Sequence, residues 1–166
     1  MPAMLLAFFL HFTANSQAEE VPGSAIPGGG DGRVRAALDE AGLRYVVDED
    51  GDFQLLFELE DGRSQVVVIN SKVETVGPFA VREVWTGAYK ARRYLPKKVA
   101  NLLLLDSFAH KVGAWAAVAN NRREVMAVFT VKIDADTPAE ALSSAVHAVT
   151  AVGDAMEHRL TDDDSF

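Results

Sequence analysis

Apolar and polar positions along this chain switch between a helical and a strand period. Val34, Ala37, Leu38 and Ala41 recur three and four apart, which predicts a first helix, with Asp31 as its N-cap and Gly42 as its C′ glycine. Tyr45-Val46-Val47 then reads as a strand, and Asp50-Gly51 as a hairpin turn. Phe53, Leu55, Phe57 and Leu59 alternate on one face of the next strand. Asp61-Gly62 turns the chain again, into a third strand over Ser64–Asn70. Val73–Trp85 continues extended, with a bend at Gly77-Pro78. Pro96 can open a helix at its first turn. Gly113–Ala119 is a strand, Asn120-Asn121 a turn, and Val125, Ala127, Phe129, Val131 and Ile133 alternate in a last strand. Thr137, Pro138 and Glu140 form a capping box for the closing helix, whose buried stripe is Leu142, Val146, Val149, Gly153, Met156 and Leu160. The order α-β-β-β-β-α-β-β-α implies an α+β fold, an antiparallel sheet with helices packed on one face.

The helix after Pro96 departs from an ordinary amphipathic pattern. Leu102, Leu103, Leu104 and Leu105 are consecutive. At about 100° per residue they cover most of the circumference, so one sheet cannot bury them all. Covering each contributes roughly 1.5–3 kcal/mol. A homodimer with this helix at its interface is therefore expected.

With 166 residues and 49% apolar content, the chain suits one domain with a real core. Net charge −8 argues against nucleic acid as a partner. The lack of cysteine removes disulfides, a thiol nucleophile and thiolate zinc sites. Met4–Phe12 is an apolar run of signal-peptide length ending in Ser16-Gln17-Ala18, so residues 1–18 read as a leader, although no Lys or Arg precedes the run. Removal of the leader would place the protein in the periplasm or outside the cell; retention would leave it cytoplasmic, and no stable membrane span remains after removal. Residues 19–32, rich in glycine and proline, read as a linker to a domain over 33–160. Residues 161–166 read as a frayed acidic tail.

"VANLLLLDSFAHKVGAW", two strands, and "TPAEALSSAVHAVTAVGDAMEHRL" resemble the YbjN-type domain, over roughly Arg33 to Leu160. The specific parts are the leucine-rich helix leading into Gly113-Ala114-Trp115 and the closing Gly153–Glu157 segment. The sequence departs from many relatives in having only Asn101 before its four leucines. The resemblance implies a fold like that of type III secretion chaperones, which commonly dimerise, and a bacterial regulatory or sensory-transduction role through interaction. It implies no reaction.

Candidate chemistry is sparse. Glu140, His147, Asp154 and His158 share one face of the last helix, but most are about two turns, or roughly 10 Å, apart, too far for one metal ion. Ser107 and His110 lie three apart, but the adjacency of Asp106 to Ser107 argues that Asp106 cannot orient His110 as a triad would. Asp48–Asp52 lacks the order of a calcium loop and reads as a solvated turn. No cofactor motif is present, and the reading is non-enzymatic. What stands out is charge. Five of the 16 basic residues, Lys90, Arg92, Arg93, Lys97 and Lys98, fall within nine positions, interleaved with aromatics. Trp85, Tyr89, Lys90, Arg92, Arg93 and Tyr94 are the candidate binding residues, as an aromatic ledge ringed by cations for a protein or peptide partner. The alternative is a sensor holding a small anionic ligand on the same cluster.

Overall fold

A computed structural model of the protein describes residues 29–59, 62–161 and 164–166. The proposed leader and most of the linker lie outside the described residues, as does Asp61. The fold is α+β. In chain order the elements are α1 (Gly32–Glu40), β1 (Val46–Val47), β2 (Phe53–Glu58), β3 (Ser64–Ile69), β4 (Glu74–Val76), β5 (Phe79–Arg92), α2 (Lys97–Ala109), β6 (Ala114–Ala119), β7 (Glu124–Asp134) and α3 (Ala139–Leu160). The seven strands form one antiparallel sheet in the order β1-β2-β3-β5-β7-β6, with β4 paired to β5 off that path.

The bend expected at Gly77-Pro78 is a full reversal. Val76 pairs with Phe79, so β4 and β5 form a hairpin, and the sheet gains a strand over the sequence reading. Beyond it, β5 runs to Arg92 and is the spine of the sheet, pairing with β7 from Val81 to Arg92.

The three described helices lie on one face. Leu38 of α1, Leu103 of α2 and Val146 and Val149 of α3 join Phe53, Val67, Val84 and Phe129 of the strands in one buried cluster. Asp31 caps α1 by accepting from the Arg33 N–H at 2.8 Å. Gly42, at φ 67°, closes α1: its N–H reaches Asp39 O and the Leu43 N–H reaches Leu38 O, a Schellman pair. The capping box of α3 does not form. Pro138 occupies the cap position, and the Thr137 hydroxyl turns back to donate to Asp134 O at 2.6 Å.

Two boundaries shift. Gly29–Asp31 already belongs to the domain: Gly30 sits over Phe53, and the Asp31 N–H donates to Ser71 Oγ at 2.9 Å. Asp31 also holds Arg82, which is 2% exposed and donates to Asn70 O, Ser71 O and Asp31 Oδ2 at 2.6–2.9 Å. Burial opposes ionisation of Asp31, but hydrogen bonds from Arg33 and Arg82 hold its carboxyl far below the usual carboxylate range. The tail is not frayed either. Phe166 is 1% exposed and packs with Val66, Val68, Met126 and Val128 on the face opposite the helices.

Candidate functional site

The leucine helix α2 buries less than its sequence suggests. Leu103 alone is fully buried, and Leu102 is half-buried against the core. Leu104 and Leu105 face solvent, Leu105 at 76% exposure. Phe108, at 94%, and Val112 are also exposed. Leu104, Leu105 and Phe108 recur at helical spacing on one uncovered face of α2, and Val112 is exposed just past its end, in the turn before β6. Monomeric proteins rarely leave contiguous apolar area of this kind in water.

The stripe lies beside an open sheet edge. Among the described residues β6 is the terminal strand, paired only with β7, and its sequence AWAAVA carries no charge and no proline. Edge strands ordinarily use such residues to prevent pairing with other chains. β6 is tied to α2 through Trp115: its N–H donates to Ser107 Oγ at 2.9 Å, and its indole N–H donates to Asp106 Oδ2 at 2.7 Å. These bonds hold α2 against the start of β6, where the Trp115 N–H is already taken by Ser107.

These bonds correct the sequence argument about Asp106. It stands four residues before His110, and its Oδ2 lies 2.9 Å from His110 Nε2, so it does orient the imidazole. A triad still fails to form. The Ser107 hydroxyl donates to Leu103 O at 2.9 Å and accepts from Trp115, and the His110 ring packs edge-on to Phe129, 5.0 Å between centroids.

The six basic-cluster candidates are divided by a β-bulge. Register slips between Gly87 and Tyr89 opposite β7. Trp85 and Lys90 therefore point to the helix-free face, and Tyr89 packs into the helix-covered core. Trp85 is half-buried and donates from its indole to Asn70 Oδ1 at 2.9 Å. Lys90 Nζ sits 4.3 Å from the Phe166 ring centroid, and burial pulls its pKa down. The ledge of Trp85 and Tyr89 is thus not one surface.

Arg92, Arg93 and Tyr94 remain exposed, Tyr94 at 83%, where the chain enters α2. Arg93 and Arg123 both hold left-handed backbone, at φ 73° and 60°, and the Arg93 N–H donates to Arg123 O at 2.6 Å. Such conformations cost of order 1–3 kcal/mol for non-glycine residues and concentrate at functional sites. Here they gather Arg92, Arg93, Arg122 and Arg123 at the end of the sheet from which α2 departs. Lys97, Lys98 and Lys111 are exposed at the two ends of the stripe.

Elsewhere, charges are engaged within the fold. Arg63 donates to Asp154 at 2.6 Å and to Glu157 at 3.4 Å. Glu157 is 0% exposed, and burial pushes its pKa up to about 7. Asp52 is not part of a solvated turn: it accepts from the Ser71 N–H at 2.6 Å, and burial with the charges of Asp48 and Asp50 pushes it up to about 6. Among the described residues no group of His, Asp and Glu is placed to hold a metal ion. Asp154 is turned to Arg63, and His147 packs edge-on to Phe57, away from a shared site. No described helix is long and apolar enough to cross a membrane.

Neither protein-family models, nor curated proteins, nor solved structures yield a match to this chain.

Phe108 and Val112 were missed as site residues in the sequence reading. The signal for Phe108 is its helical spacing from Leu104 and Leu105; Val112 follows the helix end, where periodicity carries no information.

Proposed function

We propose that this chain is a non-enzymatic, YbjN-type protein-binding domain that docks a partner segment along α2 and the open edge of β6. The observation that carries the reading is the uncovered stripe Leu104, Leu105, Phe108 and Val112 beside an uncharged edge strand. Burying each of these side chains contributes roughly 1.5–3 kcal/mol, enough together for a specific complex. Charge defines the partner. Lys97, Lys98 and Lys111 lie at the ends of the stripe, and Arg92, Arg93 and Tyr94 extend its start. An acidic, amphipathic segment matches this rim; it would lay apolar side chains on α2 as a helix or add to β6 as a strand.

A second reading, a homodimer, is favoured by β6. Two copies related by a two-fold axis could pair their edges antiparallel and bury Leu104 and Leu105 of both copies, while Leu102 and Leu103 already pack in each protomer's core. The like-charged rims weigh against it. The anion-sensor reading is weaker. A cavity of about 10 Å³ is lined by Arg33, Arg82 and Leu142, and a depression of about 350 Å³ lies between Glu40 and Ser144, and neither touches Lys90–Lys98. The leader reading makes the site of action periplasmic or extracellular.

The test is selection of a displayed random-peptide library on the folded protein, with counter-selection on Phe108→Glu. Enrichment of acidic segments with apolar residues at helical or alternate spacing supports the reading. Enrichment that is indifferent to Phe108, or basic in character, overturns it. Sedimentation of the protein alone at micromolar concentration decides the dimer.

A further inference from the structure

Pairing between β3 and β5 stops early. Its last rung is Val67 with Thr86, and the β5 bulge follows at once. The start of β3 therefore faces a gap where a neighbouring strand would run. Asp164–Phe166 fills it. The Ser64 N–H and hydroxyl both donate to Asp164, at 3.1 Å. The Ser165 N–H donates to Glu157 Oε1 at 2.6 Å, and Ser165 O accepts from Lys90 at 3.5 Å. The Phe166 ring lies on Gly87, where a Cβ would stand 2.3 Å from it, with the Lys90 ammonium over its face. Gly87 thus makes room for the ring.

The chemistry of this groove exceeds what a plug needs. Apolar neighbours alone would hold a buried phenylalanine. Instead, two ionisable groups meet three residues of the chain there: half-buried Lys90, and buried Glu157, which also faces Arg63. Buried charges are weak contributors to stability, and their best-attested use is specificity. We infer that the groove between β3 and β5 is a recognition site for a short acidic–aromatic segment, Asp-x-Phe, held in cis by Asp164–Phe166 and open to the same motif on a partner protein. Asp satisfies the Ser64 donors, the middle residue gives its N–H to Glu157, and the ring enters between Gly87 and Lys90. The cis segment carries no helix or strand of its own, so it opens at less than the cost of global unfolding. Its tether gives it an effective concentration on the order of millimolar, which a partner must exceed by affinity or its own avidity. The site is on the opposite face from α2, and its test is independent of the docking proposed there.

The test uses the full chain carrying Phe166→Ala and a fluorophore-labelled, C-terminally amidated peptide of the sequence Thr-Asp-Asp-Asp-Ser-Phe. Fluorescence anisotropy should show saturable binding to the variant, at least tenfold tighter than to the wild-type chain. Replacing the peptide's Phe with Ala, or adding Lys90→Met to the protein, should weaken it at least tenfold. Equal binding of the Phe and Ala peptides, or equal binding to variant and wild type, overturns the proposal and leaves Phe166 a structural plug. Should Phe166→Ala fail to fold, the wild-type chain is titrated with unlabelled peptide to several millimolar while the Ser165 and Phe166 amides are followed by NMR. Movement of those amides to unstructured positions supports exchange, and their persistence refutes it.

Discussion

Replacing Gly153 with Ala sets two known effects against each other. In an exposed helix interior the change would stabilise by about 1 kcal/mol, because alanine is the better helix former. Gly153 is buried in the middle of α3, over the sheet. A Cβ there would stand 2.3 Å from Thr86 Cγ2 and 3.1 Å from Gln65 Nε2. Carbon pairs need about 3.5–4.0 Å, so the neighbours would have to give by more than an ångström. Thr86 is not free to rotate. Its hydroxyl donates to Val66 O at 2.6 Å and accepts from Gln65 at 2.5 Å. Overpacking costs about 1–3 kcal/mol, and a buried hydrogen bond left unmade about 1–3 kcal/mol more. Set against the helix gain, Gly153→Ala should destabilise by about 1–5 kcal/mol, with a midpoint of about 3 kcal/mol. The assay is urea denaturation followed by circular dichroism, run as a double-mutant cycle with Thr86→Ser, which deletes the clashing methyl and keeps the hydroxyl. In the serine background the alanine should be neutral or stabilising, with a coupling of about 3 kcal/mol. A stabilising Gly153→Ala in the wild-type background, or additivity in the cycle, would refute the close approach of α3 to the sheet.

Arg82→Met should cost about 3–5 kcal/mol, because it strands the Asn70 and Ser71 carbonyls and the Asp31 carboxylate that the guanidinium joins; urea midpoints of the single variant and of Arg82→Met with Asp31→Asn measure it, and the double variant should recover part of the loss. Glu157 faces Arg63 from the segment before β3, Lys90 from β5, Asp154 from its own helix and Asp164 from the docked segment. Its folded pKa, about 7, lies above the ordinary glutamate value of 4.5, so its contribution to stability is complete below about 4.5 and lost as pH rises through 7. Asp52 behaves alike with its folded value of about 6, and Asp31 acts in the opposite sense, losing its contribution only in strong acid. Glu157→Gln keeps an acceptor for the Ser165 N–H and should flatten the fall of the urea midpoint between pH 4.5 and 7; an unchanged slope would contradict the buried carboxyl.

Much of the fold was legible because its signals are local. Asp31 and Gly42 bound α1 as their chemistry requires, and the alternation of Phe53 to Leu59 and of Val125 to Ile133 marks the core faces of β2 and β7. What was not legible depends on neighbours distant in sequence. Trp85 and Tyr89 are four apart and should share a face, but one extra residue at Ala88 reverses the second, and only the glycine before it hints at a bulge. Asp164–Phe166 reads as a solvated end, since nothing near it in sequence reveals the gap at β3 that receives it. The leucine run was expected to be covered on more than one side, whereas among the described residues Leu104 and Leu105 stay exposed. The candidate site moved accordingly, from the basic strand end toward α2, with Arg92, Arg93 and Tyr94 at its margin.

The central claim is that α2 and β6 form the docking face. Amide hydrogen exchange of the full chain, with and without a saturating peptide taken from the displayed-library selection, tests it most directly. The account predicts slowed exchange over residues 97–119, abolished by Phe108→Glu while the unbound pattern of that variant stays that of the wild type. Slowing confined to Trp85–Lys90, with α2 and β6 exchanging as in the free protein, would contradict it.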